Sequence, residues 1–261
     1  MKTINMTEYL PSSTLSDFIQ SYRFIESAEG NINYILPNAS PTIAIRYRGQ
    51  FAYRHTPLPQ TLDPAIVTGI TPTLRKIEYL PNTAALIITF KPFGILHFIN
   101  IPLHELLAVT LSLENFFPAS ALMSIQEQLA SAPSNKERVK IIEQFLVLYL
   151  KPKKWDPRIQ EAVREINITH GNIRIRELIQ KLYISQDAFE KKFRKYVGAA
   201  PKQYARIIRM RHTVQQLQQS PRNILDTALE LGYYDQAHFT KDIKQLTSIA
   251  PGKISTGTKF W

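Results

Sequence analysis

The chain has 261 residues, with 32 Lys and Arg against 21 Asp and Glu for a formal net charge of +11, and it contains no cysteine. That length is ample for one or two domains with a buried core, while the absence of thiols excludes a disulfide framework, a thiolate zinc site and a cysteine nucleophile. The charge is unevenly placed: residues 151–261 hold 21 basic and 10 acidic side chains and residues 1–150 hold 11 of each, so the expected partner of the second half alone is a polyanion.

The N-terminus, Met1 to Glu8, has no apolar signal region, and no stretch approaches the ~20 apolar residues of a membrane span. A soluble, cytoplasmic protein without membrane attachment is therefore expected. A helix is predicted over Thr14 to Tyr22, with Leu15, Phe18, Ile19 and Tyr22 on one side. Strands are predicted at Asn31 to Leu36, Thr42 to Arg48, Ala65 to Thr68, Leu74 to Tyr79 and Ala85 to Phe90. In the second of these Ile43, Ile45 and Tyr47 alternate with Ala44, Arg46 and Arg48, the period-two pattern of a strand with one buried face. Prolines between the strands favour a small barrel or curled sheet over alternating βαβ units. Arg46, Arg48, Arg75 and Tyr47 are candidates to line a polar pocket, against the plainer reading of exposed strand-face arginines.

After Lys91-Pro-Phe-Gly94 the period becomes helical. Phe98 to Val109 carries Leu103, Leu106 and Leu107, and Ala119 to Ala130 carries Leu122, Ile125 and Leu129. Ser134 to Leu150 opens with Ser134 and Glu137 as a capping box. Its face of Val139, Ile142, Phe145, Leu146 and Tyr149 serves either the domain core or a dimer contact. Lys151-Pro-Lys-Lys154 is a basic linker, and Asp156-Pro157 supplies an N-cap and a first-turn proline for a helix to about Ile168.

The remaining chain repeats itself at an offset of 50 residues: Ile175 maps onto Leu225, Leu178 onto Ala228, Phe189 onto Phe239, Phe193 onto Ile243 and Pro201 onto Pro251. In the second copy Ile224, Leu225, Ala228 and Leu229 recur at helical spacing and Gly232 ends that helix. Each copy reads as a helix-turn-helix, with second helices over Ser185 to Tyr196 and Asp235 to Leu246. Between them Pro201 to Gln219 forms one helix of ~27 Å at 1.5 Å per residue, close to the ~34 Å of one turn of duplex DNA.

On these residues, and above all on Gly232-Tyr-Tyr-Asp-Gln-Ala-His-Phe239 and Val197-Gly-Ala-Ala-Pro-Lys-Gln-Tyr204, the C-terminal third resembles the DNA-binding domain of AraC-type bacterial transcription regulators, over about residues 157–254. Ile243, Ser248 and Ala250 depart from the usual Phe, Gly and Ser of that family, and Ala200 stands where Ser usually precedes the proline. Ala at an N-cap forfeits ~0.5–2 kcal/mol. Ile35-Leu-Pro37, Val67-Thr-Gly69 and Phe90-Lys-Pro-Phe-Gly94 resemble more weakly the β-rich domain of unknown role that precedes some such DNA-binding domains. That position implies sensing of a small-molecule effector or dimerisation.

The expected fold is thus α+β: residues 1–150 form a β-rich, barrel-like regulatory or dimerising domain with flanking helices, and residues 151–261 an all-α domain of two helix-turn-helix modules joined by a long helix. The expected function is a sequence-specific, homodimeric regulator reading double-stranded DNA. The alternative is an N-terminal ligand-binding or catalytic domain to which DNA binding is secondary. Neither a cofactor, a metal site nor an enzymatic activity is expected: His55, His97, His104, His170, His212 and His238 form no metal-binding motif, and no phosphate loop or nucleophile elbow is present. With Phe189 and Phe193 facing the core, Asp187, Glu190, Lys191 and Arg194 point outward, and the offset places Ala237, Thr240, Lys241 and Lys244 likewise. The resemblance implies base contacts at Asp187, Glu190, Lys191, Gln236, Thr240 and Lys241. Ser185, Arg194, Lys195 and Lys244 are the expected phosphate contacts.

Overall fold

A computed structural model describes residues 4–54, 59–219, 232–233 and 235–254. Its contacts form two compact units, one of Met1–Asn33, Ser40–Gly69 and Lys76–Lys154, the other of Tyr34–Ala39, Ile70–Arg75 and Trp155–Trp261. The β-rich region contains strands β1 (Ile4–Tyr9), β2 (Ile19–Ser27), β3 (Asn31–Ile35), β4 (Thr42–Arg48), β5 (Phe51–Tyr53), β6 (Gln60–Thr61), β7 (Ala65–Thr68), β8 (Arg75–Tyr79), β9 (Thr83–Phe90) and β10 (Thr110–Ser112). They make a six-stranded sheet in the order β1-β2-β9-β4-β7-β10 and a four-stranded sheet in the order β3-β8-β5-β6. In the larger sheet β9 lies between β2 and β4 and is buried along nearly its whole length, which is why Ala84, Ala85, Leu86, Ile88 and Phe90 read as a continuous apolar run. The alternation in β4 puts Ile43 and Ile45 in the core as expected.

Two helices complete this region, α1 (Ala119–Ser131), which packs on β4, and α2 (Asn135–Tyr149), which packs on α1. Ser134 caps α2, its hydroxyl accepting the Glu137 N–H at 3.2 Å. Glu143 of α2 accepts the Ser12 N–H at 2.7 Å and the Tyr22 hydroxyl at 3.2 Å, fixing the helix to the start of the sheet. Ile142, Phe145 and Leu146 are buried in this core, so the apolar face expected to serve either the core or a dimer serves the core.

One expectation in the first half is corrected, and two open readings are decided. Thr14 to Tyr22 is not a helix: one turn closes with the Ile19 N–H donated to Leu15 O at 2.9 Å, and Ile19 already begins β2. Pairing with β1 on one side and β9 on the other satisfies the backbone over nine residues, which outweighs a short helical spacing. Phe98 to Val109 is not a continuous helix either, because Pro102 breaks it; the chain makes single 3-10 turns at Gly94–His97 and Leu103–Leu106 before joining the sheet edge as β10. Nor do Arg46, Arg48, Arg75 and Tyr47 converge on a pocket: Arg46 donates to Gly49 O in its own hairpin, Arg48 is exposed, Arg75 belongs to the other unit, and the Tyr47 ring lies under the Arg138 guanidinium at 4.8 Å.

The helical unit comprises α3 (Pro157–Ile168), α4 (Ile175–Lys181), α5 (Gln186–Val197), α6 (Pro201–Gln219) and α7 (Gln236–Thr247). Asp156 caps α3 and Pro157 occupies its first turn, as expected. The predicted helix carrying Ile224, Leu225, Ala228 and Leu229 lies outside the described residues, as does His55. Helix α6 serves two cores. Its first part packs with α3 and α5, the Tyr204 ring meeting Phe193 edge-on at 5.7 Å. Its second part contributes Met210, Val214 and Leu217 to a cluster with Tyr233, Phe239, Ile243, Leu246 and Ile254. Leu36 is buried in that same cluster, Leu74 packs against it, and Arg211 donates to Pro37 O at 3.2 Å. The segments Tyr34–Ala39 and Ile70–Arg75 are tied to each other by reciprocal Asn38 and Thr71 backbone bonds of 2.9 and 3.0 Å.

Candidate nucleic-acid interface

Helices α5 and α7 obey the 50-residue offset at both ends. Ser185 and Asp235 are their N-caps, accepting the N–H groups of Ala188 and His238 at 3.4 and 2.6 Å. Gly198 and Ser248 are their C-caps, both left-handed with φ of 100° and 60°. Phe189, Phe193, Phe239 and Ile243 are fully buried, so one face of each helix is committed to the core and the opposite face is fixed by the helical period. The turn preceding α7 requires its glycine: Gly232 has φ of 75°, and a Cβ there would meet the Asn172 side chain at 2.4 Å. In the first module the left-handed turn residue is Tyr183 at φ of 49°, one place later than the offset predicts.

On α5, Asp187 and Lys191 are exposed and Glu190 is half-exposed. Glu190 is bracketed on its own helix, accepting from the Gln186 amide at 3.3 Å and facing Arg194 at 4.0 Å. On α7, Gln236 and Lys241 are exposed and Thr240 is half-exposed. These six expected base contacts therefore lie on the solvent side of two helices of equal length. Among the expected phosphate contacts Arg194, Lys195 and Lys244 are exposed near the C-terminal ends, with the Lys195 ammonium over the Tyr196 ring at 5.4 Å; the Ser185 hydroxyl is occupied as an N-cap acceptor and retains its own proton to donate. Among the described residues Lys191, Lys241 and Lys244 have no carboxylate within ion-pair distance.

One pair of positions carries a feature that composition did not reveal. Lys192 and Asp242 are equivalent by the offset, and each ties its helix to a preceding one with opposite polarity. The Lys192 ammonium binds the Asp156 carboxylate at 2.6 Å. The Asp242 carboxylate, almost wholly buried, accepts from Arg206 of α6 at 2.5 Å and from the Tyr233 hydroxyl at 3.3 Å, with Arg209 at 4.0 Å. Arg206 also donates to Gln245 at 2.6 Å. Burial, then the nearby Asp242 charge, pushes the Tyr233 phenol up to about 12, so it stays a neutral donor. Hydrogen bonds from Arg158 and Lys192 hold the Asp156 carboxyl well below the usual carboxylate range. A charged residue at the buried helical position 242, next to Ile243 in the apolar stripe, was the signal available in the sequence.

Among the described residues no cluster of His, Cys, Asp or Glu is arranged to hold a metal, and no helix is long and apolar enough to cross a membrane.

Residues 178–256 match the model of a helix-turn-helix domain family, and residues 7–112 that of a domain of unknown function, DUF6597. An uncharacterized HTH-type transcriptional regulator of Haemophilus influenzae is 25% identical over 113 residues, 43% of this chain and 37% of the relative. A second, YidL of Escherichia coli, is 25% identical over 123 residues, 46% of this chain and 41% of the relative. The chain thus aligns with about two-fifths of the length of these curated relatives. Among solved structures, ToxT of Vibrio cholerae aligns over 97% of each chain at 12% identity with a TM-score of 0.47. An AraC-type DNA-binding domain-containing regulator from Chromobacterium violaceum aligns over 36% of this chain and 86% of its own at 24% identity and a TM-score of 0.34.

Proposed function

We propose that this chain, whose C-terminal region is an AraC-type helix-turn-helix domain, is a cytoplasmic, sequence-specific regulator of transcription that reads two adjacent major-groove segments of double-stranded DNA. The observation that carries the reading is the pair α5 and α7: two helices of the same length, capped at equivalent positions and buried through equivalent aromatic and aliphatic side chains, each presenting a polar outer face, in the half of the chain that holds all the excess positive charge. Asp187, Glu190, Lys191, Gln236, Thr240 and Lys241 take base edges in this reading, and Ser185, Arg194, Lys195 and Lys244 take phosphates. A lysine donates to guanine O6 and N7, glutamine pairs with adenine, and a carboxylate accepts from cytosine N4, each discriminating by ~1–3 kcal/mol.

Residues 151–261 are the DNA-reading domain and residues 1–150 a regulatory domain that receives a small-molecule effector or a second copy of the chain, with no enzymatic step. Selection of bound fragments from a random duplex pool by the purified full chain tests the reading. Enrichment of one sequence with two separated blocks is expected. A retained pool with no base preference, or no retention at all, contradicts it.

A further inference from the structure

Two clefts of about 460 Å³ each flank α6, and they are bordered by different recognition helices. The first is lined by Arg206 and Arg209 of α6, by His238, Lys241 and Asp242 of α7, and by the turn between α3 and α4 at Gly171. The second is lined by Gln186 and Glu190 of α5 together with Arg176 and Gln180 of α4. Ile175 and Lys202 line both. Lys202 therefore stands on the ridge between α5 and α7, in the first turn of the 19-residue helix α6, where the backbone dipole adds positive potential.

The first cleft is electropositive after its internal pairs are counted. Asp242 is its one carboxylate, and it is already shared between Arg206 at 2.5 Å and Arg209 at 4.0 Å. Arg209 in turn stacks over the Tyr233 ring at 4.6 Å. Lys202 and Lys241 are exposed and have no ion pair among the described residues. Two guanidinium groups against one carboxylate, plus two unpaired ammonium groups, leave a surplus of positive charge facing solvent in a concave site, and such a site selects an anion. A duplex that gives one major-groove segment to α5 and the next to α7 must carry its sugar-phosphate backbone past the ridge between them.

We propose that this cleft binds a phosphate of the DNA backbone in the stretch between the two major-groove segments, with Lys202 as the principal ligand and Arg206, Arg209 and Lys241 supplying the surrounding field. This rests on the DNA-binding reading and adds a contact on the connecting helix, outside both recognition helices. Of the basic side chains of α6, Lys202, Arg206 and Arg209 line this cleft, whereas Arg211 is turned away and donates to Pro37 O. The contact is to phosphate alone, so it sets the register of the protein on the duplex and leaves base preference unchanged.

The test uses the full chain and a duplex it selects. Lys202→Ala is expected to weaken binding roughly tenfold, to lower the slope of log affinity against log salt by about 1, and to leave base preference unaltered, while Lys202→Arg restores both. Replacing the phosphates between the two sequence blocks by neutral methylphosphonates should weaken the wild type to a similar extent and cost Lys202→Ala nothing more. Equal affinity and salt slope for wild type and Lys202→Ala, or losses from the variant and the neutral duplex that add, would overturn the inference while leaving the DNA-binding reading intact. Failure of the wild type to bind any duplex removes both. Pyrophosphate serves as the free-anion probe by calorimetry: binding that Lys202→Ala abolishes, with unchanged duplex affinity, would assign the cleft to a free phosphorylated ligand and overturn the proposal.

Discussion

Along each recognition helix, position divides the labour. Lys191 and Lys241 lie in the second turn of their helices and carry no ion pair among the described residues, whereas Arg194 and Lys244 lie one turn later. Lys191→Ala and Lys241→Ala are expected to relax base preference at separate positions roughly one DNA turn apart. Arg194→Ala and Lys244→Ala should weaken binding to all sequences alike. Binding-site selection with each variant reads the difference; unchanged preference in both lysine variants would mean that the other face enters the groove. Asp156 makes a pH prediction with a definite sign. Its folded carboxyl is held below the ordinary range by Arg158 and Lys192, so its contribution is complete above the unfolded value of ~4 and is lost as pH falls through the folded value. Asp156→Asn should lower stability at neutral pH and flatten the acid limb below ~4 in urea titrations. An unchanged acid limb would show that the two cations contribute nothing.

The two modules have the same plan with different fittings, and the differences are measurable. Gly198 closes α5 in a left-handed conformation at no steric cost, while Ser248 must adopt the same conformation with a Cβ. Ser248→Gly should therefore raise thermal stability by roughly 0.5–1 kcal/mol without altering DNA preference; a fall in melting temperature would refute that. Asp242 holds α7 against α6 through a buried carboxylate, and cutting one partner strands the other in low dielectric. Asp242→Ala is expected to destabilise by about 3 kcal/mol, more than removal of the exposed Asp187. At this scale the sequence was legible where local chemistry decides. Asp156 and Pro157, Ser134, Ser185 and the paired phenylalanines set helix starts and faces within a residue or two. It was illegible where partners distant in sequence decide. Nothing between Ile4 and Ser27 shows that β1 and β2 will pair with each other and with β9, and the spacing of Leu15, Phe18, Ile19 and Tyr22 suggests a helix until that sheet exists. The Asp242 cluster was hidden for the same reason: Arg206 is 36 residues away.

At the level of the molecule, the uneven charge ties affinity to salt. Neutralising ~6–10 phosphates would lower the affinity of the full chain by ~10³–10⁵ between ~50 and ~200 mM salt, and a flat response would remove DNA from the account. Leu36 belongs by sequence to the first half and by packing to the core around α7. Leu36→Ala should cost roughly 2–5 kcal/mol and be felt as faster amide exchange in α6 and α7, an effect no reading of residues 1–150 alone would anticipate. The proposed homodimer would have to use a different patch, because the core absorbs the α2 face of Ile142, Phe145 and Leu146. Val147 and Leu148 of that helix are 45% and 81% exposed, and light scattering should show Leu148→Glu shifting a dimer towards monomer. A wild type that is strictly monomeric at micromolar concentration, with and without DNA, would end that part of the proposal.

The central claim is that two recognition helices of one chain enter successive major-groove segments. Hydroxyl-radical footprinting of the full chain on its selected duplex measures this most directly. Two protected segments on one face of the helix, about 10 base pairs apart, are expected, with Lys191→Ala and Lys241→Ala each disturbing one of them. A single protected segment disturbed by both variants, or protection unchanged by either, would contradict it.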